Sequence, residues 1–290
     1  MKNGFLGFEG AVNFQSPLAT AKTVVVPFGM ELTVSYGKGT ARGPKAIIEA
    51  SHQLEKIDEQ TFLPAYRCGV ATLTEPKIPN DPKQALELLK KITKQVLKNG
   101  KFPLILGGEH SLTFGSLAAV CEAVQNVSVL QFDAHTDLRE SFRGTIYSHG
   151  AVMHQSLKNL PIRHLTQVGI RSISDSDNEL AFWRENQKKI TTFWAWKKLS
   201  IAKILASIPT KNVYLTFDLD FLENGDVPAT GTPEPGGLPW WPTLELLKEV
   251  FAKKNVVGCD VVELAPVKNL HASNYLAARL AYKMIGYKFR

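Results

Sequence analysis

Short apolar runs rich in β-branched residues alternate with longer amphipathic stretches along almost the whole chain. Several of these runs are apolar at every position, which is typical of strands in a parallel sheet covered by helices on both faces. We predict strands at Thr23–Phe28, Cys68–Leu73, Phe102–Leu106, Val127–Phe132, Leu165–Ile170, Ile190–Trp194, Val213–Leu219 and Val256–Val262.

The stretches between the strands carry helical spacing and helix-start signals. Asp81 before Pro82 is typical of an N-cap followed by a proline at the first helical position. We predict helices at Pro44–Ile57, Pro82–Lys98, Ser111–Val124, Ser176–Gln187, Ser200–Ile208, Thr243–Lys253 and Ser273–Ile285. Strand alternating with helix, without an intervening linker, predicts a single α/β domain over residues 1–290.

The composition is that of an ordinary globular protein, since 44% of the 290 residues are hydrophobic and 21% are charged. Three cysteines far apart in the sequence predict free, buried thiols in a reducing compartment and no disulfide framework. The N-terminus lacks the apolar core of a signal peptide, and no apolar run reaches the roughly 18 residues that span a bilayer. We therefore expect a cytoplasmic protein with no membrane partner.

The formal net charge of +7 raises the question of a nucleic-acid partner. Lysine pairs such as Lys90-Lys91 and Lys188-Lys189 lie on or beside helix-like stretches, where lysine usually marks the solvated face. No basic motif interleaved with aromatic residues and no zinc-finger spacing accompanies them. We interpret the charge as dispersed solubilising charge and expect no nucleic-acid partner.

Ionisable residues follow the predicted strands where those strands end. The strand at Phe102–Leu106 runs into GGEHS, which contains His110. The next strand ends in DAHTDLR, where Asp133, His135 and Asp137 alternate, so an extended backbone would place all three side chains on one face. Three ionisable groups at the end of a buried strand are costly unless a partner compensates them.

A third strand adds two carboxylates, Asp218 and Asp220, again on one face. Asp133, His135 and Asp137 could instead belong to an ion-pair network with Arg139 and Arg143. The second pair of carboxylates has no such alternative nearby, because no Lys or Arg follows Asp220 within ten positions. Four aspartates and two histidines therefore converge on one sheet edge, and four carboxylates balance two divalent cations. This set is rich in oxygen and has no thiolate, which favours Mn²⁺ and predicts a binuclear site that activates water.

These motifs, in this order, resemble the metal motifs of the ureohydrolases, a family that includes agmatinase, arginase, guanidinobutyrase and formimidoylglutamase. The resemblance rests on GGEHS, DAHTDLR and FDLDFL followed by GTPEPGGL, and it extends from GKGTARGPKAIIEAS to DVVELAP. It implies a three-layer α/β/α arginase-type fold with an eight-stranded parallel sheet, and a homo-oligomer. It also implies two manganese ions per chain, one bound by His110 and Asp137 and the other by His135 and Asp220, with Asp133 and Asp218 bridging them.

By the same resemblance, two further residues carry catalysis. His149 in YSHGAVM stands where the family has a proton-shuttling histidine, although a lone histidine in a loop is also compatible with a surface imidazole. Glu263 in DVVELAP stands where the family's glutamate binds the guanidinium group. A carboxylate on an otherwise apolar strand is costly unless it is paired, which agrees with that role. The implied reaction is hydrolysis of a guanidino group to urea and an amine.

The residues expected at the far end of the pocket predict that the substrate is agmatine, which would be hydrolysed to putrescine and urea in polyamine biosynthesis. Arginases usually carry an Asn after Asp-x-His-x-Asp and a Ser-Gly-Asn sequence before the catalytic His, whereas this chain has Leu138-Arg139 and Ile146-Tyr147-Ser148, as agmatinases do. Arg139 or Arg143 would suit an anionic tail, so guanidinobutyrate and formimidoylglutamate stay open, and arginine is a weaker alternative. A non-catalytic metal-binding homologue is disfavoured, because the full set of ligand and catalytic residues is present.

Two stretches bear on that substrate. Val267–His271 lacks the Asp that many agmatinases carry soon after the Glu-x-x-Pro motif. The pair Trp240-Trp241 after GGLP is either a pocket wall or, as aromatic pairs more often are, a packing element.

Overall fold

The computed structural model describes residues 4–9 and 12–290, and all eight predicted strands are present in it. Seven of them lie within one residue of the predicted bounds at each end, or coincide with them, whereas β4 is shorter by a residue or two at each end. A pair of antiparallel strands of two residues each, near the N-terminus, was not predicted. The strands are β1 Phe8–Glu9, β2 Val12–Asn13, β3 Thr23–Phe28, β4 Val70–Thr72, β5 Phe102–Gly107, β6 Val127–Phe132, β7 Leu165–Ile170, β8 Ile190–Trp194, β9 Asn212–Asp218 and β10 Asn255–Val262.

The main sheet has eight strands in the order β4-β3-β5-β10-β9-β6-β7-β8, and every pairing between neighbours is parallel. The last strand in sequence, β10, lies between β5 and β9. All eight strands therefore end at the same edge, and β5, β10, β9 and β6 form the centre of that edge. This confirms the predicted parallel sheet.

Helices follow most of the strands and cover both faces of the sheet. They are α1 Gly43–Ser51, α2 Pro82–Lys98, α3 Thr113–Ala123, α4 Val152–Asn159, α5 Glu179–Glu185, α6 Ile201–Ser207, α7 Trp240–Lys253 and α8 Ala272–Lys288. The predicted bounds of α2 are confirmed, and the side chain of Asp81 accepts a hydrogen bond from the backbone N–H of Gln84, as an N-cap does.

Alternate residues of the central strands point into different apolar clusters. Leu104 and Leu106 pack in the cluster that includes residues of α1, α6, α7 and α8. Ile105, between them, packs with residues of α2 on the other face. Since side chains alternate across a strand, the two clusters lie on opposite faces of the sheet. This gives the three-layer α/β/α arrangement.

One predicted helix is too long, and one helix was not predicted. The helix predicted over Pro44–Ile57 ends at Ser51, because the Ser51 hydroxyl and the His52 ring bind the N-terminal segment and the next residues form turns. Helix α4 was not predicted, since its buried polar side chains, among them His154 and Ser156, break the apolar spacing.

The three cysteines were predicted to be free and buried, and only part of this prediction is confirmed. All three cysteines are free; Cys259 is buried, whereas Cys68 and Cys121 are only half-buried. Within the described part of the chain, none of the helices has the length and apolar character needed to cross a bilayer.

Candidate metal centre and active site

The predicted site residues meet at the carboxyl ends of the central strands. His110 begins a short 3₁₀ helix after β5, and Glu263 follows β10 directly. The aspartates and the second histidine follow β6 and β9. They lie at the base of a cavity of about 560 Å³ whose lining includes His110, His135, Asp137, His149, Asp218, Asp220 and Glu263. Ligand sites of open α/β sheets are found at this position.

His110 faces three carboxylates with one ring nitrogen. Its Nδ1 lies 3.1 Å from an oxygen of Asp133, 3.0 Å from one of Asp137 and 3.3 Å from one of Asp218. His110 is 1% exposed, and among the described residues this nitrogen has no partner in hydrogen-bonding geometry. A buried nitrogen that points between three carboxylate oxygens without bonding to them is placed as a metal ligand is.

His135 forms a second, similar group. Its Nδ1 lies 3.0 Å from an oxygen of Asp220 and 3.7 Å from one of Asp133. Ligand atoms of His110, Asp133 and Asp137 converge within 4.8 Å of one another, as do those of Asp133, His135 and Asp220. Asp133 is common to both groups, as expected of a bridging ligand, and the second predicted bridge, Asp218, contacts the His110 group.

The electrostatics of the cluster call for additional positive charge. Burial raises the pKa of Asp137 to about 7, with the Asp133 charge adding to the effect. Burial, followed by the charges of Asp220 and Asp133, also raises the pKa of Asp218. Burial alone would lower the pKa of His110, yet its carboxylate contacts raise it well above the ordinary value. Either bound protons or divalent cations can compensate the buried negative charge of these aspartates, so the donor set fits hard cations.

Glu263 joins the cluster from β10. Its Oε1 accepts a 2.6 Å hydrogen bond from the backbone N–H of His110, and its backbone has φ +64°. Asp137 has φ +53°. Non-glycine residues rarely adopt this left-handed region, and at functional sites the cost of about 1–3 kcal/mol is often tolerated. Both of these residues line the cavity.

His149 is held by a pair of residues that the sequence did not reveal. Its Nδ1 lies 3.2 Å from the Thr33 hydroxyl, which donates a 3.0 Å hydrogen bond to Glu109. Glu109 is fully buried and also accepts the backbone N–H groups of Leu32 and Thr33. Burial lowers the pKa of His149 to about 4, so its imidazole is neutral at pH 7. The only sequence signal was a carboxylate within GGEHS.

Asp133 has a support of its own in the neighbouring strands. The side-chain amide of Gln131 donates to Asp133 at 2.8 Å, and Gln167 donates to Gln131 at 2.8 Å. Gln167 in turn accepts a hydrogen bond from Thr192. This chain of hydrogen bonds fixes the orientation of the Asp133 carboxylate.

Both arginines near the cavity already have partners. Arg139 donates to Ser176 at 2.7 Å and to Asp177 at 2.8 Å, and its guanidinium lies over the Phe142 ring. Arg143 donates to the backbone carbonyls of Val34 and Ser35. The alternative in which these arginines form ion pairs with Asp133 and Asp137 is therefore wrong. The nearest carboxylate partner of Arg139 is Asp177, and Arg143 is held by backbone carbonyls.

The tryptophan pair is not part of the described cavity wall. Trp240 packs partly against the core and starts α7, while Trp241 is 56% exposed. Neither is among the lining residues. The packing interpretation fits Trp240.

Comparison with known proteins agrees with this geometry. A family model described as the arginase family matches residues 21–286. The chain belongs to the arginase family. It is 37% identical to the N(1)-aminopropylagmatine ureohydrolase of Synechocystis sp. over 93% of this chain and 90% of the relative. It is 34% identical to the enzyme of the same name from Thermus thermophilus, over 94% and 92% of the two chains.

A solved structure of an arginase-family member shows the same architecture. The agmatine ureohydrolase of Thermoplasma volcanium superimposes with a TM-score of 0.86 at 29% identity, over 94% of this chain and 92% of that one. This confirms the arginase-type fold. The chain is accordingly a hydrolase of the ureohydrolase class, which cleaves a guanidino group.

Proposed function

We propose that this enzyme releases urea from agmatine and from agmatine extended at its amine end, and that it uses two Mn²⁺ ions. The observation that carries this proposal is the pairing of a six-residue donor cluster with a cavity whose nearby arginines are already bonded to the protein. Such a cavity favours a cationic guanidino compound over one with an anionic tail.

The six residues divide into two cation sites by their contacts. We assign His110 and Asp137 to one ion, and His135 and Asp220 to the other. Asp133, shared by both groups, would be held in common by the two ions, and Asp218, which contacts His110, would be the second shared ligand. Carboxylate oxygens with one imidazole per ion suit Mn²⁺ better than a thiolate-rich zinc site would.

Two divalent cations at such a site supply a nucleophile from water at neutral pH. The chain's own residues then orient the substrate. Glu263 lies beside His110 at the base of the cavity, and its free oxygen lies near Gly231 in the wall. Ionised, Glu263 pairs with the guanidinium and holds the planar carbon over the donor cluster.

His149 is the residue in place for proton transfer. Its Nδ1 is engaged with Thr33, so its other nitrogen is available on the cavity side. A neutral imidazole accepts a proton and returns it to the departing amine, which cannot leave as an anion. Glu109 stabilises the Thr33 hydroxyl and so keeps this imidazole in one orientation.

The outer part of the cavity carries carboxylates toward which a cationic tail would extend. Asp175 lies on its rim, exposed to solvent, and Glu179 lies deeper. Glu179 is engaged by Thr136, Leu138 and Ser174, which leaves Asp175 to face a ligand. The relatives in Synechocystis and Thermus are named for agmatine bearing an aminopropyl group, whose extra ammonium would reach this rim.

Urea release from four guanidino compounds tests the proposal. With Mn²⁺ present, kcat/KM for agmatine and for N1-aminopropylagmatine should each exceed that for arginine and for 4-guanidinobutyrate by at least about tenfold, since about 1.4 kcal/mol of poorly paired charge gives that factor. Of the first two, the extended compound should be the better substrate. A higher value for 4-guanidinobutyrate or arginine would refute the substrate assignment.

A matched variant isolates the contribution of the rim. Asp175→Asn should lower kcat/KM for N1-aminopropylagmatine by a small factor, because one exposed ion pair contributes at most about 1 kcal/mol. The value for agmatine should change less, since agmatine has one ammonium fewer. Equal losses for both substrates would remove Asp175 from tail recognition.

Three further expectations accompany this function. We propose a cytoplasmic location, a homo-oligomer and a single catalytic domain. Size-exclusion chromatography with light scattering measures the assembly directly.

A further inference from the structure

A buried chain of hydrogen bonds leads from His110 away from the cavity into the sheet. The Nε2 of His110 lies 2.8 Å from the hydroxyl oxygen of Thr216, and that hydroxyl donates a 2.6 Å hydrogen bond to Oδ1 of Asp260. None of these three residues is more than 1% exposed. The Thr216 hydroxyl has one proton, which it gives to Asp260, so its oxygen accepts the proton of Nε2. The lone pair of Nδ1 is thereby directed at the donor cluster.

Asp260 itself is held rigidly. Oδ2 accepts hydrogen bonds from the Tyr214 hydroxyl at 2.6 Å and from the Thr113 hydroxyl at 2.9 Å. In the parallel pairing of β9 with β10, Asp260 is the direct partner of Thr216. Burial raises the pKa of Asp260, the three hydroxyl donors around the carboxylate oppose that rise, and the two paired strands fix its position.

His135 has no comparable support among the described residues. Its Nε2 has Glu234 as its nearest carboxylate, at 3.7 Å, which is beyond hydrogen-bond distance. The His135 side chain is 26% exposed, whereas that of His110 is 1% exposed. The two histidines are therefore supported unequally, although their carboxylate surroundings are alike.

We propose that Asp260 is a positioning residue that acts through Thr216 to hold the ring and the metal-binding tautomer of His110. It strengthens cation binding at the His110–Asp137 site and leaves the His135–Asp220 site unaffected. The inference rests on the proposed function in that these residues hold two cations. Hydrogen bonds to the far nitrogen of a ligating histidine generally raise metal affinity in this way.

Two threonine variants provide the test. Thr216→Val removes the hydroxyl that joins His110 to Asp260, whereas Thr113→Val removes an equally buried hydroxyl that bonds Asp260 but not His110. Metal-free protein is titrated with Mn²⁺, and free Mn²⁺ is followed by electron paramagnetic resonance. Thr216→Val should weaken binding of one ion by about 10–100-fold. The other ion, and both ions in Thr113→Val, should stay within about threefold of the wild type.

Three further variants show which ion is weakened and whether loss of the hydroxyl is the cause. Thr216→Ser should restore the wild-type affinity, because it restores the hydroxyl. In an Asp137→Ala background, where the His135 site remains, adding Thr216→Val should leave the residual Mn²⁺ affinity unchanged. Asp260→Asn keeps an acceptor but removes the charge, so it should weaken the same ion even if Thr216→Val does not fold.

The failures of the two proposals are distinguishable. Wild-type protein that binds no Mn²⁺ would overturn the proposed function. Wild-type protein that binds two ions, with Thr216→Val and Asp260→Asn binding both as tightly, would overturn the role of Asp260 alone. Equal weakening in Thr216→Val and Thr113→Val would assign the network to stability of the fold and not to His110.

Discussion

Replacing Glu263 with glutamine separates its two roles. Glu263→Gln keeps an oxygen that can accept the 2.6 Å hydrogen bond from the His110 N–H, so the local backbone should stay in place. It removes the negative charge that pairs with a guanidinium. A hydrogen bond to a charged group contributes about 1.5–3 kcal/mol, which corresponds to a loss of roughly 10–150-fold. We expect kcat/KM for agmatine to fall by that factor.

Urea release at varied agmatine concentration measures this loss, and metal analysis of the same preparation shows whether both ions remain. Glu223→Gln makes the same chemical change on a loop outside the cavity lining and should leave kcat/KM unaltered. A loss of less than about threefold in Glu263→Gln would refute the pairing with guanidinium. Loss of bound metal would show that the carboxylate supports the cluster instead.

Three more predictions concern the metals, the proton and the fold. Asp218→Ala should disrupt both cation sites, whereas Asp137→Ala should chiefly weaken one; two Mn²⁺ ions per chain retained in Asp218→Ala would contradict the bridging role. His149→Asn should lower kcat by about 10²–10⁴-fold with both ions bound, so a variant with full kcat would assign proton transfer elsewhere. Lys283 lies fully buried, 2.6 Å from Asp58 and 2.8 Å from Glu59, and Lys283→Met should lower the free energy of unfolding by about 3–5 kcal/mol in urea denaturation at pH 7. Burial acts to raise the pKa of Asp58, but Lys283 lowers it below the ordinary value of 3.8, so the ion pair stabilises the fold above that pH. The difference in the free energy of unfolding between wild type and Lys283→Met should therefore shrink as the pH falls through the lowered pKa. A difference independent of pH would exclude this ion pair as its source.

The sheet and the donor cluster were predictable for the same reason. Parallel strands buried on both faces are apolar along their length, so an ionisable residue where such a run ends is conspicuous. Asp133 and Asp218 are of this kind, and the fold needs only parallel pairing to bring them together. The C-terminal end of α1 depends instead on contacts with the N-terminal segment, and no local sequence pattern predicts such contacts.

The supporting residues were missed for two different reasons. Thr216 and Tyr214 favour strands, so they do not interrupt the pattern that predicts β9. Their partner Asp260 lies 44 residues beyond Thr216 in the sequence and meets it only through strand register. Glu109 was visible in GGEHS, but its link to His149 runs through Thr33, 76 residues away. Long-range polar pairing of this kind has no period to detect.

The place of β10 in the sheet has a consequence for synthesis of the protein. This strand occupies residues 255–262, yet it lies between β5 and β9, which are made earlier. Until it leaves the ribosome, those two strands expose unpaired edges at the centre of the future sheet, and such edges are prone to pair with other chains. A nascent chain that stalls before residue 255 lacks both Asp260 and Glu263. Guanidinium binding by Glu263 and the support of His110 by Asp260 are thus completed only at the last stage of translation, and truncated products should aggregate and not accumulate as partly active enzyme.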